Sequence, residues 1–132
     1  MKNTWDWILQ PMGNGHKWLG AVMKLIKAII KPERLDSVKK ELEESGIFGM
    51  TINEVQGRGE QKGIALQYRG GTIQVDVISK IELEIVVKDI DKQKVIDAII
   101  AGAATGKIGD GRIFVLPVEE SIKIRTKEVM TE

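Results

Sequence analysis

Two short apolar runs constrain this chain most: residues 24–30 (KLIKAII) and 81–87 (IELEIVV). Each has strand length, and each leads into a segment with helical spacing. Neither approaches the roughly 20 apolar residues a membrane-crossing helix needs. After the first run, Pro32 stands at a helix start, where its missing N–H costs nothing. Over residues 34–45, Leu35, Val38 and Leu42 recur at helical spacing with charges opposite, and Gly46 is a stop signal. Residues 50–56 read as a second strand, with Met50, Ile52 and Val55 as its apolar members. After the third strand, 81–87, Asp91 is placed to cap a helix that runs to about Ala103, with Val95, Ile96, Ile99 and Ile100 as its apolar stripe. Residues 113–118 (IFVLPV) read as a fourth strand and 122–124 as a short extra one. The order β-α-β-β-α-β predicts an α+β fold of the ferredoxin-like kind, an antiparallel sheet with both helices on one face. Strands one and three are apolar on both faces, which predicts that another subunit covers the remaining sheet face.

Two stretches depart from this regularity. Residues 57–77 hold Gly57, Gly59, Gly63, Gly70 and Gly71 among polar residues, and no helix or strand pattern persists across them. A loop of that length between strands two and three is expected to be mobile and functional. Residues 1–22 hold all three tryptophans, the lone His16 and two of the five methionines. Pro11, Gly13 and Gly15 break any long helix there. Met23 then opens a segment able to start a protein by itself. The chain therefore divides into an extension, 1–22, and a domain, 23–132. The extension reads either as a docking segment with aromatic anchors or as a disordered by-product of an upstream start.

Composition excludes several chemistries. The 20 Lys+Arg balance 19 Asp+Glu, which gives no support for a nucleic-acid or anionic-membrane surface. With no cysteine, disulfides, thiolate nucleophiles, Fe–S clusters and Cys-ligated zinc are excluded. A single histidine argues against a His-ligated metal and against a Ser-His-Asp triad. Trp5, Asp6 and Trp7 stand where a secretory peptide would carry an apolar core, so a cytoplasmic protein is expected.

The strongest local signal is residues 105–114, TGKIGDGRIF, between a helix and a strand. Gly106, Gly109 and Gly111 allow a ligand close to the backbone, as phosphate binding requires. Thr105, Lys107 and Arg112 add a hydroxyl and two cations. The spacing is not that of a Walker loop, and it equally suits a tight turn without ligand. Lys123 and Arg125 alternate, so on a strand they would share one side, although a solvated edge would look the same. Gln61, Lys62, Gly63 and Lys80 flank the long loop, where an acidic ligand would meet them. Glu82 and Glu84 share a strand face, as an exposed alternating face would also produce. No acid–base pair stands out.

Together these segments resemble the PII signal-transduction family. The resemblance covers residues 23 to about 128 and rests on IKAIIKP, GMTINEVQGRGEQKG, YRG, KIELEIVV, TGKIGDGRIFV and the closing IKIRT. It implies a non-enzymatic homotrimer in which ATP and ADP compete for a cleft between subunits. Residue by residue, it implies that Thr51 and Thr105 meet the nucleobase or ribose. Gly57, Gly59 and Gly106 line the nucleotide site, and Gly109, Asp110, Gly111 and Arg112 wrap the phosphates. Lys123 and Arg125 reach the phosphates from the neighbouring subunit. It further implies that Gln61 helps hold Mg²⁺, and that Gln61, Lys62, Gly63 and Lys80 form the 2-oxoglutarate site. Glu84 would pair with Lys80 when ADP is bound. Tyr68, Arg69 and Gly70 would form the partner-binding tip, with an ammonium transporter as partner and as the only route to a membrane. Nitrogenase or glutamine synthetase is the alternative target within the same class.

Two departures matter. Ile73 replaces the tyrosine that uridylylated relatives carry, and Gly71 replaces a serine that others phosphorylate, so no modification of the loop is expected. Glu60 stands where many relatives place an arginine near the phosphates. A rival from another class is an acylphosphatase-like hydrolase, and the sequence offers no catalytic nucleophile or base for it. A further rival is a trimer that has lost effector binding.

Overall fold

The computed structural model describes residues 23–58, 64–75 and 77–131. The chain begins with β1 (Met23–Ile30), a 3₁₀ turn (Pro32–Arg34), α1 (Leu35–Glu44) and β2 (Thr51–Gly57). Next come β3 (Ile64–Tyr68), β4 (Gly71–Val75) and β5 (Ile78–Lys88). A second 3₁₀ turn (Asp89–Asp91), α2 (Lys92–Ala103), β6 (Gly111–Val118), β7 (Glu120–Ile122) and β8 (Val129–Thr131) complete it. The main sheet has the order β2-β5-β1-β6, antiparallel throughout. This is the expected ferredoxin-like arrangement, in which the two strand-helix-strand halves interleave.

Strand alternation decides the two faces. Ile26, Ala28 and Ile30 of β1 and Ile81, Leu83, Ile85 and Val87 of β5 point to one side and are buried. They meet Val38 and Leu42 of α1 and Val95, Ala98, Ile99 and Ala103 of α2 in a single core. The helices pack so closely that a Cβ on Gly102 would stand 2.5 Å from the Val38 Cα. Arg34 adds a polar tie, donating from Nε to the Gly102 carbonyl at 2.9 Å. The opposite face carries Leu25, Lys27 and Ile29 beside Glu82, Glu84 and Val86, and Phe114 and Leu116 on β6 remain 45% and 41% exposed.

Several expectations need correction. Residues 57–77 are not patternless. Gly57 ends β2, and β3 and β4 form a two-stranded ladder from Ile64↔Val75 to Tyr68↔Gly71, turned by Arg69 and Gly70. The ladder is short and separate from the main sheet, and five-residue strands give little length for a pattern to show. Asp91 makes no side-chain cap; it closes the 3₁₀ turn, with Lys92 N–H donating to the Asp89 carbonyl. Ile100 is half exposed rather than part of the buried stripe. The extra strand lies at Glu120–Ile122 and pairs with β8. Lys123 and Arg125 consequently sit in the connection, not on a strand: residues 124–126 form a turn, and Lys127 N–H donates to the Lys123 carbonyl at 2.7 Å. Met130 of β8 packs on Met23, both fully buried. Residues 1–22 lie outside the described residues.

The helix contact gives a direct test. Gly102→Val should destabilise the domain by about 1–3 kcal/mol, because a side chain there forces α2 off the α1 backbone. A urea-unfolding midpoint equal to that of the wild type would show that the helices separate freely.

Candidate functional site

The glycine-rich segment between α2 and β6 is a closed, self-supporting loop. Gly106, Gly109 and Gly111 all have positive φ (80°, 91° and 112°). At Gly111 the demand is absolute, because a Cβ would lie 1.8 Å from the Ile29 carbonyl oxygen. Asp110 organises the interior. Its carboxylate accepts from Thr105 N–H at 2.7 Å and from Gly106 N–H at 3.0 Å, and it also accepts from the Thr105 hydroxyl. The Thr105 oxygen in turn accepts from Lys107 N–H at 3.2 Å.

Two lysines from neighbouring strands hold this loop from outside. Lys31, one residue beyond β1, pairs with the Asp110 carboxylate at 3.1 Å and donates to the Thr105 oxygen at 3.3 Å. Lys80, on β5, donates to the Gly109 carbonyl at 2.7 Å. Both reach Gly109 closely: a Cβ there would lie 3.6 Å from Lys31 Cε and 3.7 Å from Lys80 Nζ. Gly57 backs the Lys80 stem, 3.9 Å from its Cγ by the same measure. Arg112 opens β6 opposite Ile29, at the exposed rim. Beside the loop, a groove of about 340 Å³ runs between α2 and β6, lined by Ile96, Ile100, Arg112 and Val115 among others.

The loop's hydrogen bonds hold the Asp110 carboxyl well below the usual carboxylate range. The Thr105 hydroxyl contributes most, then Thr105 N–H, with Lys31 and Gly106 N–H adding to them against partial desolvation. The arrangement thus suits an anion: cations at the rim, glycine backbone open to approach, and the one acid already occupied.

Thr51 and Glu84 meet elsewhere. They are cross-strand partners on the open face. With Leu25, Gly49, Met50 and Val86 they line a cleft of about 290 Å³. Glu84 lies opposite Lys27 of β1, whereas the loop enters opposite Ile30, three residues along the strand. The hairpin that carries Lys123 and Arg125 is anchored at the Met23 end, the far end of β1. The structure therefore brings together Gly57, Lys80, Thr105, Gly106, Gly109, Asp110 and Gly111, and separately Thr51 with Glu84. It does not unite the two sets. Gly59, Glu60, Gln61, Lys62 and Gly63 lie outside the described residues. Arg69 and Gly70 stand exposed at the hairpin tip next to Tyr68, and Ile73 pairs with Leu66 across the ladder. Lys31, within the segment IKAIIKP, carries no site signal of its own in the sequence; only the fold sets it against Asp110.

The described residues thus form a ferredoxin-like domain with a glycine-rich loop held by two lysines and an exposed hairpin. The family model described as nitrogen regulatory protein P-II matches residues 23–128. A nitrogen regulatory protein P-II of Microchaete diplosiphon is 51% identical over 110 residues, covering 83% of this chain and 98% of that protein. The citrate-bound crystal structure of Arabidopsis thaliana PII superposes with a TM-score of 0.67 at 35% identity, covering 85% of this chain and 90% of that one. The chain belongs to the PII family of nitrogen regulatory proteins, and it is a signal-transduction regulator, not an enzyme. The hydrolase reading is thereby set aside.

The Asp110 network carries a sign. A depressed carboxyl pKa means that its ordering of the loop is fully present above the ordinary Asp value and is lost only as pH falls through the folded-state value. The Thr105 and Gly106 amide NMR signals should therefore titrate with a midpoint below the ordinary Asp value, and a midpoint at that value, about 3.9, would contradict the network.

Proposed function

We propose that the protein senses nitrogen, carbon and energy status by binding ATP or ADP, with Mg²⁺ and 2-oxoglutarate, in clefts shared between the subunits of a homotrimer. The observation that carries this reading is the division of the candidate residues into two sets at different positions along the sheet. One set offers the loop, Lys31, Lys80 and Arg112 for phosphates. The other offers the Thr51–Glu84 cleft for a base or ribose, with Lys123 and Arg125 on the hairpin beyond. Loop and hairpin lie at opposite ends of β1, so a ligand touching both calls for two chains placed side by side. The half-exposed apolar residues of the open face, Phe114 and Leu116, supply surface for such an association.

Lys80 stands where a carboxylate effector at the hairpin base would take its ammonium from the Gly109 carbonyl. The citrate in the Arabidopsis relative, a small carboxylate like 2-oxoglutarate, supports a site of this chemistry. Titration calorimetry tests the reading. ATP and ADP should compete, 2-oxoglutarate should bind only with Mg-ATP, and Arg112→Ala should cost about tenfold in ATP affinity. Wild-type ATP affinity in Arg112→Ala, or a monomeric mass by light scattering, would remove the shared cleft.

The output runs through the β3–β4 hairpin to an ammonium transporter. Arg69 is exposed at its tip, followed by Gly70 and Gly71, which allow an extended shape. Three such tips on a trimer would engage a three-fold partner with added avidity. Effector binding at the hairpin base then needs only a few kcal/mol of differential affinity to shift the tip between docking and non-docking shapes. Arg69→Ala should abolish transporter capture from membranes while leaving ATP affinity unchanged. Normal capture by that variant would favour a soluble target such as nitrogenase or glutamine synthetase.

A further inference from the structure

An acid inside a phosphate-receiving loop poses an electrostatic problem. Asp110 sits between Gly109 and Gly111, the two glycines whose backbone a phosphate would approach. An uncompensated carboxylate there repels every negative charge the ligand brings. Neutralisation comes from Lys31, the cation paired with Asp110 among the described residues. Its side chain is 18% exposed and that of Asp110 is 25% exposed, so the pair is only partly screened by water.

We propose that Lys31 is a positioning residue of the phosphate loop: its ammonium cancels the Asp110 charge and steadies Thr105, so that the loop receives a polyphosphate without opposition from its own acid. The inference rests on the nucleotide reading of the loop given above. The two carboxylate oxygens divide the work. Oδ2 accepts the Thr105 and Gly106 backbone N–H groups, while Oδ1 faces the Thr105 hydroxyl and Lys31. An amide in place of the carboxylate keeps an oxygen for the two backbone donors and turns its NH₂ toward the Thr105 oxygen, so it needs no lysine.

This makes neutralisation separable from direct phosphate contact by Lys31. The experiment is calorimetric titration of the full-length protein with ATP, ADP and AMP for the wild type, Lys31→Met, Lys31→Arg and the double variant Lys31→Met/Asp110→Asn. Lys31→Met should weaken ATP about tenfold or more, ADP less and AMP least, because the repulsion grows with phosphate charge. Lys31→Arg should stay near wild type, and the double variant should recover most of the lost ATP affinity. Amide exchange at Thr105 and Gly106 should quicken in Lys31→Met and return in the double variant. Equal losses for all three nucleotides, unchanged ATP binding in Lys31→Met, or a double variant as weak as the single one would each overturn the proposal. A wild-type protein that binds no nucleotide would remove the nucleotide reading and this inference together. A binding wild type with an unaffected Lys31→Met removes the inference alone.

Discussion

Everything in this domain is placed by the pairing of β1. Each residue from Met23 to Ile30 has a partner on β5 and another on β6. A strand paired along both edges has no freedom to slip, since a one-residue shift would turn Ile26, Ala28 and Ile30 out of the core. Its two ends then become fixed points. The Ile30 end receives Gly111 so closely that no side chain fits, and Lys31 follows directly. The Met23 end receives Met130 and with it the C-terminal hairpin.

The glycine-rich loop shows how a short polar segment is made rigid without a core. Its backbone donors turn inward to one carboxylate, and its outward-facing parts are lysines, a carbonyl and glycine backbone. Thr105 is held by Asp110, Lys31 and Lys107 N–H, so any ligand contact by that hydroxyl must share it with the loop. Lys80 has a different character. It ties β5 to the glycine-rich loop through one hydrogen bond, which an acidic ligand would exchange for an ion pair.

The open face of the sheet mixes apolar and charged residues. Its apolar and polar residues alternate in rows across β2, β5, β1 and β6, with Thr51, Glu84, Lys27 and Phe114 in one row. Such a surface is neither a solvated face nor a closed core. It is suited to association in which polar groups meet a ligand and apolar ones meet another chain.

Much of this was legible in advance. The two apolar runs, Pro32, Gly46 and the helical spacing of Leu35, Val38 and Leu42 determined the elements, because those signals act within a few residues of themselves. The segment TGKIGDGRIFV pointed to the family and marked the loop as a candidate site. Local pattern failed in the β3–β4 ladder, short and separate from the main sheet, and in the C-terminal connection that carries Lys123 and Arg125. It also failed at Lys31, whose partner Asp110 lies on the far side of both helices in the sequence. Only the tertiary structure decided that this lysine faces that carboxylate, and that Thr51 and Glu84 stand apart from the loop, because strand register, not sequence proximity, sets which charges meet.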